Sequence, residues 1–303
     1  MNRKNIPNLF IIGAPKCGTT ALAAQLGQHP EIFLGRKEPR YFDARTFFDN
    51  EEDWPIKNIQ EYLNLFNSES AYNSRYRLDA SVFNMYSEDS IRDILAFNPN
   101  SKFILVLRNP LHAAKSMHRQ RLKYFDPCMR EVSANFEVCW RLLEKRKLGV
   151  GFPDGCKNKF LFRYDLLYSY EKYLPYIGDL IEKENIIYIN YGDFKETPSS
   201  VHLRVFRFLG IRPFQVESVI VNPSDVIGLS LKNKLVFKVR RYLACLSKNL
   251  GLSGSALSRN ISALLKYEIM KMNTTTNELD DEVLEYFKDS ILAMESVLNH
   301  HPS

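Results

Sequence analysis

A short apolar run that ends in a glycine-rich turn constrains this chain more than any other feature. Residues 8–13 read Asn-Leu-Phe-Ile-Ile-Gly, and the turn Gly-Ala-Pro-Lys-Cys-Gly-Thr-Thr occupies residues 13–20. Because the run is short, continuous and closed by glycine, it predicts a buried parallel strand, and residues 19–28 predict the helix that follows. A loop between a strand and a helix directs backbone N–H groups and the helix dipole toward one point, which favours an anion there.

The same pattern recurs along the chain. Residues 102–107 and 185–190 are further apolar runs that predict buried strands, and residues 31–34 are a candidate second strand. Helical patterns lie between the strands, at residues 87–97, 111–124, 135–147, 166–184 and 199–209. Strands that alternate with helices predict an α/β fold, here a P-loop-type parallel β-sheet flanked by helices. The chain has 303 residues without a Gly/Ser-rich linker, so we expect a single domain over residues 1–303.

Charge and cysteine content narrow the class of ligand and the location. The chain has 41 Lys and Arg against 35 Asp and Glu, a net charge of +6. This excess favours anionic ligands but is below that of a dedicated nucleic-acid binder, so we expect no nucleic-acid partner. The five cysteines form no C-x-x-C pair, which argues against disulfides and zinc. Without a visible signal peptide or membrane span, the expected location is cytoplasmic.

The glycine-rich loop departs from the nucleoside-triphosphate pattern. Its glycines keep the spacing of G-x-x-x-x-G-K-[ST], but Thr19 replaces the lysine and the loop's own lysine is Lys16. The strand at 102–107 continues into Arg108-Asn-Pro rather than an acidic Mg²⁺ ligand, so we expect a metal-free transfer. A plain glycine turn and an NTP-dependent enzyme remain as alternatives. Cys17 is either a small residue that fits the loop or a thiol acidified by the helix N-terminus.

Two motifs in this order resemble those of a known family. Residues 14–20 resemble the 5'-phosphosulfate loop of the sulfotransferases, which use 3'-phosphoadenosine 5'-phosphosulfate (PAPS). Residues 108–116, Arg-Asn-Pro-Leu-His-Ala-Ala-Lys-Ser, resemble that family's 3'-phosphate motif. The physical sense is independent of the family, because Arg108 offers a bidentate fork for phosphate at the end of a strand. Ser116 on the following helix adds a hydroxyl donor.

Further matches extend the resemblance over about residues 8–212. Residues 164–168 resemble the helix that packs near the nucleotide, residues 189–194 resemble the Y-E-D-L segment, and residues 205–210 end in the family's F-L-G. The resemblance implies PAPS as the donor, 3'-phosphoadenosine 5'-phosphate (PAP) as the product, and no metal. The donor-site residues that it implies are Pro15, Lys16, Cys17, Gly18, Thr19, Thr20, Arg108, Ser116 and Tyr168.

A candidate general base follows the second strand. Residues 35–43, Gly-Arg-Lys-Glu-Pro-Arg-Tyr-Phe-Asp, resemble the K-E-P-x-F-F segment of bacterial and carbohydrate sulfotransferases, whose glutamate is the proposed base. By that match Glu38 accepts the proton of the acceptor hydroxyl. Three neighbouring cations are expected to lower its pKa and attract an anionic acceptor. They are Arg36, Lys37 and Arg40. A simple loop ion pair is the alternative role of Glu38.

Two other residues are candidates for contact with the acceptor. Some heparan-type relatives carry a lysine in a G-E-K-T-P-x-Y segment, whereas the matching stretch here, residues 78–83, has Ala80 at that place. Ser81, the next residue, is the one we expect to contact the active site. His118 lies two residues after Ser116 and is the alternative base.

The C-terminal third is basic. Residues 228–272 contain nine Lys or Arg against Glu268 alone, and leucines recur at helical spacing, so an amphipathic basic helical region is predicted within residues 228–303. Four roles remain open: an ordinary packed helix, a cover over the 3'-phosphate, a groove for an acidic glycan, and contact with a membrane surface. Residues 278–295 predict a final acidic helix.

Together these features predict a PAPS-dependent sulfotransferase in which Lys16 stabilises the charge of the leaving oxygen. The resemblance at residues 35–43 implies a hydroxyl of an oligo- or polysaccharide as the acceptor. The alternatives are a lipid or small-molecule alcohol acceptor, a kinase, and a nucleotide- and glycan-binding protein without catalysis. The loose segment at residues 43–74 reads as an insertion over the sheet edge, and its aromatic residues either stack on sugars or belong to the core.

Overall fold

The computed structural model describes residues 5–217 and 277–299. The chain divides into two compact units. The first comprises Met1–Ala113, Leu166–Val221 and Leu284–Ser303, and the second comprises Ala114–Asp165 and Asn222–Val283. Two compact units can belong to one domain or to two, so the single domain over residues 1–303 stays a prediction. The basic segment at residues 228–272 lies outside the described residues.

A five-stranded parallel sheet forms the centre of the first unit and confirms the predicted α/β class. Its strands are β1 (Leu9–Gly13), β2 (Ile32–Leu34), β3 (Tyr76–Asp79), β4 (Lys102–Leu107) and β5 (Ile186–Asn190). The order is β2-β3-β1-β4-β5, which places β1 in the middle. Every residue of β1 is buried, as expected of an apolar run in a sheet that is covered on both faces. Strands β1 and β4 are neighbours, so the segments that follow them leave the same edge of the sheet.

Helices connect these strands. They are α1 (Thr19–Leu26), α2 (Ala44–Phe47), α3 (Ile59–Asn64), α4 (Glu69–Asn73), α5 (Glu88–Phe97), α6 (Pro110–Leu122), α7 (Phe136–Arg141), α8 (Leu143–Lys147), α9 (Tyr164–Leu167), α10 (Leu174–Leu180), α11 (Tyr191–Glu196), α12 (Pro198–Leu209), α13 (Asn277–Tyr286) and α14 (Lys288–Asn299). Short 3-10 turns lie at Glu51–Asp53, Asn84–Tyr86, Pro127–Met129, Lys159–Phe162, Tyr170–Lys172 and Lys183–Asn185. Helices α1, α5, α6 and α12 lie where the periodicity predicted them.

Three predicted helices are shorter than expected. The helix predicted at residues 166–184 is instead α9, the turn Tyr170–Lys172 and α10. Pro175 lies in the first turn of α10, a place that proline tolerates because its missing N–H has no partner there, whereas the interior of one long helix would lose a hydrogen bond. The helix predicted at 135–147 divides into α7 and α8 at Leu142, and the final helix divides into α13 and α14 at Phe287.

The segment at residues 43–74 is more ordered than predicted. It forms α2, α3, α4 and a 3-10 turn between the edge strand β2 and β3. Tyr62 and Phe66 are fully buried in an apolar cluster with Ile56 and Ala71, and Tyr41 stacks on Tyr62 with ring centroids 4.8 Å apart. The core interpretation therefore holds for Tyr62 and Phe66.

The second unit has a buried ion pair. Arg146 Nη2 lies 2.5 Å from Glu131 Oε1, and both side chains are fully buried. The Tyr164 hydroxyl also donates to Glu131, and Arg146 donates to the carbonyl oxygens of Gly151 and Phe162 over 3.0 Å each. These bonds satisfy charges whose burial alone would be costly, and they fix the irregular backbone around α8.

The final helices and the cysteines complete the described part. Helix α14 packs against β5 and the turn Tyr170–Lys172 in the first unit. The described cysteines are free thiols, namely Cys17, Cys128, Cys139 and Cys156. Within residues 5–217 and 277–299, none of the helices is both long enough and apolar enough to cross a membrane.

Candidate functional site

The loop after β1 has the backbone of an anion site. Lys16 and Gly18 adopt left-handed conformations, with φ of 68° and 80°, and turn the chain sharply into α1. The Ala14 N–H bonds to the Val106 carbonyl oxygen over 2.8 Å, which fixes the loop to β4. Gly18 occupies the N-cap of α1 and has no side chain to cap it, and the first N–H groups of a helix have no partner within it. The loop therefore presents donors and the positive end of the helix dipole to one point.

Gly18 allows a close approach that other residues prevent. A Cβ atom at this position would lie 2.9 Å from Tyr191 Cε2 and 3.3 Å from Phe194 Cδ1. The start of α11, which follows β5, thus packs directly on the loop. Sequence reasoning assigned the Tyr191 segment to the family pattern but missed this contact, because it joins distant parts of the chain.

Arg108 connects the two sequence motifs. It follows β4, and its Nη1 donates a hydrogen bond to the Lys16 carbonyl oxygen over 3.2 Å. Its guanidinium carbon lies 4.5 Å from the centroid of the Tyr191 ring, a cation–π distance. The structure therefore brings Lys16 and Arg108 together at the carboxyl edge of the sheet, where ligands bind in open α/β sheets.

Two side chains pack beneath the loop. The Tyr168 hydroxyl donates to the Pro15 carbonyl oxygen over 3.3 Å, and Cys17 Sγ donates to the same oxygen over 3.6 Å. Burial is the main influence on Cys17 and raises its pKa to about 12, despite opposing effects of a Tyr170 hydrogen bond and the Arg108 charge. The acidified-thiol interpretation of Cys17 is therefore wrong, because burial outweighs the loop's positive field. Thr19 is buried at the start of α1 and Thr20 is half-buried.

Ser116 and His118 lie on α6, in the second unit. Ser116 is 3% exposed and His118 is 1% exposed. His118 Nε2 lies 3.0 Å from the Ser133 carbonyl oxygen, and its ring packs edge-on against Phe136. Burial lowers the pKa of His118, so the ring is neutral near pH 7. The pairing of Ser116 with Arg108, and a role of His118 at the acceptor, stay predictions.

Glu38 lies in a strained turn between two cations. Glu38 and Arg40 have φ of 52° and 57°, and Lys16 is the third non-glycine residue with positive φ in the described chain. Such backbone strain concentrates at functional sites. The Glu38 carboxylate accepts hydrogen bonds from Lys37 Nζ and Arg40 Nη2. Burial alone would raise the pKa of Glu38, but the charges of Arg40 and Lys37 outweigh it and hold that pKa below its ordinary value, as predicted.

Arg40 is held on all sides. Its Nη1 lies 3.2 Å from Asp43 Oδ2, and its guanidinium carbon lies 3.5 Å from the Phe47 ring centroid and 4.9 Å from that of Phe83. Its backbone N–H donates to Ser81 Oγ over 3.0 Å. Ser81 thus lies beside the Glu38 turn, where its hydroxyl oxygen accepts this bond, and its contact with the acceptor stays a prediction. Arg36, by contrast, is exposed.

Two buried carboxyl groups behind this turn escaped the sequence analysis. Burial raises the pKa of Asp43 to about 7, with Arg40 opposing the shift and Asp79 adding to it. Asp79 ends β3; its Oδ2 accepts from the Tyr62 hydroxyl over 2.6 Å and its Oδ1 from the Ser81 N–H over 2.8 Å. Burial also raises the pKa of Asp79. The position of Asp79 at the carboxyl end of a strand was the signal that could have identified it.

The donor set around the loop suits an anionic nucleotide. A helix N-terminus, a glycine cradle, an ammonium and a guanidinium are groups that bind phosphate or sulfate oxygens. In the part of the chain that the structure describes, no group of three or more His, Cys, Asp or Glu side chains is arranged so that it could hold a metal ion. The metal-free transfer stays a prediction.

Residues 7–241 match the family model of the sulfotransferase domain, and the chain therefore belongs to the sulfotransferase family. It is 26% identical over 216 residues to the bifunctional heparan sulfate N-deacetylase/N-sulfotransferase 3 of Mus musculus. The aligned residues are 69% of this chain and 23% of that relative. It is 31% identical over 121 residues to the corresponding enzyme 1 of Homo sapiens, covering 40% of this chain and 14% of that protein. The chain thus spans less than a quarter of these relatives' length.

A solved structure supports the fold independently. The sulfotransferase from Alicyclobacillus acidocaldarius superimposes with a TM-score of 0.68 at 20% identity, covering 98% of this chain and 97% of that one. The predicted family and the predicted parallel sheet are both confirmed. Residues 7–241 thus carry the domain of an enzyme family, the sulfotransferases.

Proposed function

We propose that this sulfotransferase uses PAPS as its donor and a carbohydrate hydroxyl as its acceptor. The observation that carries the proposal is the hydrogen bond from Arg108 to the Lys16 carbonyl oxygen. This bond supports the proposal because a guanidinium, a group suited to phosphate, lies beside a loop that suits an anion, and PAPS has phosphate groups at two positions. A nucleoside triphosphate would need the loop but not the guanidinium.

The first loop is proposed to hold the 5'-phosphosulfate. Backbone N–H groups at the start of α1, with Thr19 and Thr20, would donate to its oxygens. Arg108 is proposed to hold the 3'-phosphate with Ser116, while the bonds of Tyr168 and Cys17 to the Pro15 carbonyl oxygen fix the backbone of the loop. PAPS, when bound, supplies an activated sulfuryl group. The task of Lys16 is then to place an ammonium where negative charge grows on the leaving oxygen, which favours the transition state over the ground state.

Glu38 is the proposed general base. Its lowered pKa keeps the carboxylate ionised and able to accept a proton, at some loss of basicity. Both oxygens accept hydrogen bonds from Lys37 and Arg40 in the described state, so one of these bonds must give way to the acceptor hydroxyl. Lys37 is the more exposed partner, with 31% of its side chain accessible against 11% for Arg40. We expect Lys37 to be the one that moves, toward an anionic acceptor.

Two indications from sequence similarity support a carbohydrate acceptor. The Glu38 turn resembles a segment of bacterial and carbohydrate sulfotransferases, and the relatives are named for heparan sulfate. Because those names concern nitrogen sulfation, an acceptor screen must contain both amino sugars and neutral sugars. Transfer only to a lipid or a small alcohol would contradict the carbohydrate assignment and leave the donor assignment unchanged.

The donor is tested by thermal unfolding with PAP, with ADP, and with ATP plus Mg²⁺. At about 100 times the dissociation constant, a one-site ligand stabilises the folded state by about 2.7 kcal/mol. We expect stabilisation by PAP and much less by ADP, since ADP lacks the 3'-phosphate, and Arg108→Ala should remove the difference. Stabilisation only by ATP with Mg²⁺ would indicate a kinase. Strong PAP binding without transfer to any acceptor would indicate a protein that binds the nucleotide without catalysis.

A further inference from the structure

Tyr170 joins the two segments of the donor site and has no place in the mechanism above. It begins the turn Tyr170–Lys172 and is fully buried. Its hydroxyl donates to the Arg108 carbonyl oxygen over 3.1 Å and lies 3.8 Å from Cys17 Sγ. One hydroxyl thus contacts both the end of β4 and the loop after β1.

The direction of these bonds follows from the protonation states. Burial raises the pKa of Tyr170 well above its ordinary value, and burial also keeps Cys17 a thiol. Tyr170 therefore donates its proton to the Arg108 carbonyl, and its oxygen lies 3.8 Å from Cys17 Sγ, whose own proton is donated to the Pro15 carbonyl oxygen. On the other side of this connection, Arg108 Nη1 donates to the Lys16 carbonyl oxygen over 3.2 Å. The two hydrogen bonds of Arg108, the contact between Tyr170 and Cys17, and the adjacent loop residues Lys16 and Cys17 therefore form a closed circuit.

The C-terminal helix reaches the same turn. Ser290 on α14 donates a hydrogen bond to Glu171 Oε2, next to Tyr170. Ser290 is 1% exposed, and α14 packs along the turn and β5. Residue 290 lies outside the range that matches the sulfotransferase family, residues 7–241. A helix beyond the family match thus holds the turn that carries Tyr170.

We infer that Tyr170 is a positioning residue. It sets the position of Arg108 relative to the loop at residues 13–20, which is called the register here, and α14 supports it through the Ser290–Glu171 hydrogen bond. The inference rests on the proposed function, because it assumes that one nucleotide spans both segments. A ligand that touches only the loop gains little from this register. A ligand with a 3'-phosphate needs it, since a small displacement of Arg108 relative to the loop misplaces one of its two anionic ends.

Tyr170→Phe tests this by removing only the hydroxyl, with Tyr173→Phe as the matched control. The Tyr173 hydroxyl donates to the Leu166 carbonyl oxygen over 2.9 Å, so both variants lose a bond to a backbone carbonyl in the same region. Isothermal titration with PAP and with ADP is the measurement. We expect Tyr170→Phe to weaken PAP binding roughly tenfold, a change typical of the loss of one hydrogen bond. Its ADP affinity, and both affinities of the Tyr173→Phe control, should change less than about twofold.

A double-mutant cycle with Arg108→Ala locates the effect. If Tyr170 acts through Arg108, Tyr170→Phe should weaken PAP binding little once the arginine is gone. Equal losses for PAP and ADP, or a full loss in the Arg108→Ala background, would overturn the register role. Failure of the wild-type chain to bind PAP would instead overturn the proposed function, so the two failures are distinguishable.

Ser290→Ala tests the contribution of α14. We expect the same selective loss of PAP affinity as in Tyr170→Phe, about two- to fivefold because the contact is one residue removed. Ser296→Ala, another serine of α14, should leave the PAP-to-ADP ratio unchanged. A Ser290→Ala variant with wild-type PAP and ADP affinities would remove α14 from the inference and leave Tyr170 in it.

Discussion

The Arg108 side chain donates a hydrogen bond to the Lys16 carbonyl oxygen over 3.2 Å. A side chain of one nucleotide motif therefore holds the main chain of the other. The guanidinium has five N–H donors, so this bond leaves others for a phosphate, and the Tyr191 ring lies along one face of the group. The position of Arg108, and with it the proposed recognition of phosphate, thus depends on the planar shape of arginine as well as on its charge.

Arg108→Lys should consequently fail although it keeps the charge. An ammonium cannot make the same fork or reach the Lys16 carbonyl in the same geometry, so we expect PAP affinity to fall about 10- to 100-fold. Titration calorimetry with PAP measures this, and Arg45→Lys, at an exposed position on α2, is the control. Wild-type affinity in Arg108→Lys would show that charge alone is sufficient.

Lys16→Met should lose turnover while folding normally. Methionine has a side chain of similar length but no ammonium group, so the negative charge that grows on the leaving oxygen in the transition state is no longer stabilised. We expect kcat to fall roughly 10²- to 10³-fold, the typical cost of losing such a donor. Lys172→Met, at an exposed position, controls for the loss of one surface charge. A near wild-type kcat would remove Lys16 from the chemistry.

Glu38→Gln should separate binding from catalysis. The amide cannot accept the acceptor's proton, so we expect kcat to fall about 10²- to 10⁴-fold while PAP still stabilises the protein as in wild type. Glu69→Gln, at an exposed position on α4, is the matched control. His118→Ala is the decisive comparison. If that variant is inactive with its fold intact and Glu38→Gln is active, the base is His118.

Asp43 should make stability depend on pH. Burial raises its pKa to about 7 from an unfolded value near 3.8, so the folded chain holds this proton more tightly. The stabilisation is complete below about pH 4 and is lost as pH rises toward 7, by at most about 1.4 kcal/mol per pH unit for one proton. Urea unfolding should show that the wild-type curve falls relative to that of Asp43→Asn across this window. Asp89→Asn, an exposed carboxylate change on α5, should run parallel to wild type.

Four of the five strands and the loop were predictable because their signals are local, whereas β3, with Arg77 and Asp79 in it, is not an apolar run and was not predicted. Buried parallel strands are continuous apolar runs, and β4 has the predicted bounds. A glycine spacing between a strand and a helix likewise identifies the loop without knowledge of the rest. The turn at Tyr170 was missed, because residues 166–184 have helical periodicity and the hydroxyl contacts that hold the turn involve the distant residues Cys17 and Arg108.

The carboxyl cluster was missed for the same reason. Asp43 and Asp79 belong to different segments, and only the sheet order brings β3 between β2 and β1 so that both lie behind Arg40. The sequence predicted that Arg40 lowers the pKa of Glu38 and attracts the acceptor, and the first of these effects is present. The contacts of Arg40 with Phe47 and Asp43 were not predictable, because only packing brings them together.

Gly18→Ala should disturb both ends of the donor site at once. The φ of 80° is strained for alanine, and the new Cβ would lie 2.9 Å from the Tyr191 ring, which must move. Because that ring faces the Arg108 guanidinium, its displacement reaches the second motif. We expect a loss of about 1–3 kcal/mol in unfolding free energy and weaker binding of PAP.

The matched control is Gly178→Ala in α10, where a new Cβ meets nothing within 4 Å. Alanine favours a helix over glycine, so this variant should gain about 0.5–1 kcal/mol. The double variant Gly18→Ala with Tyr191→Leu isolates the clash: a smaller side chain leaves room for the Cβ, so it should recover part of the stability but not the PAP affinity, since the ring against Arg108 is gone. Recovery of both would show that the ring only fills space, and that Arg108 keeps its position through the Lys16 carbonyl alone.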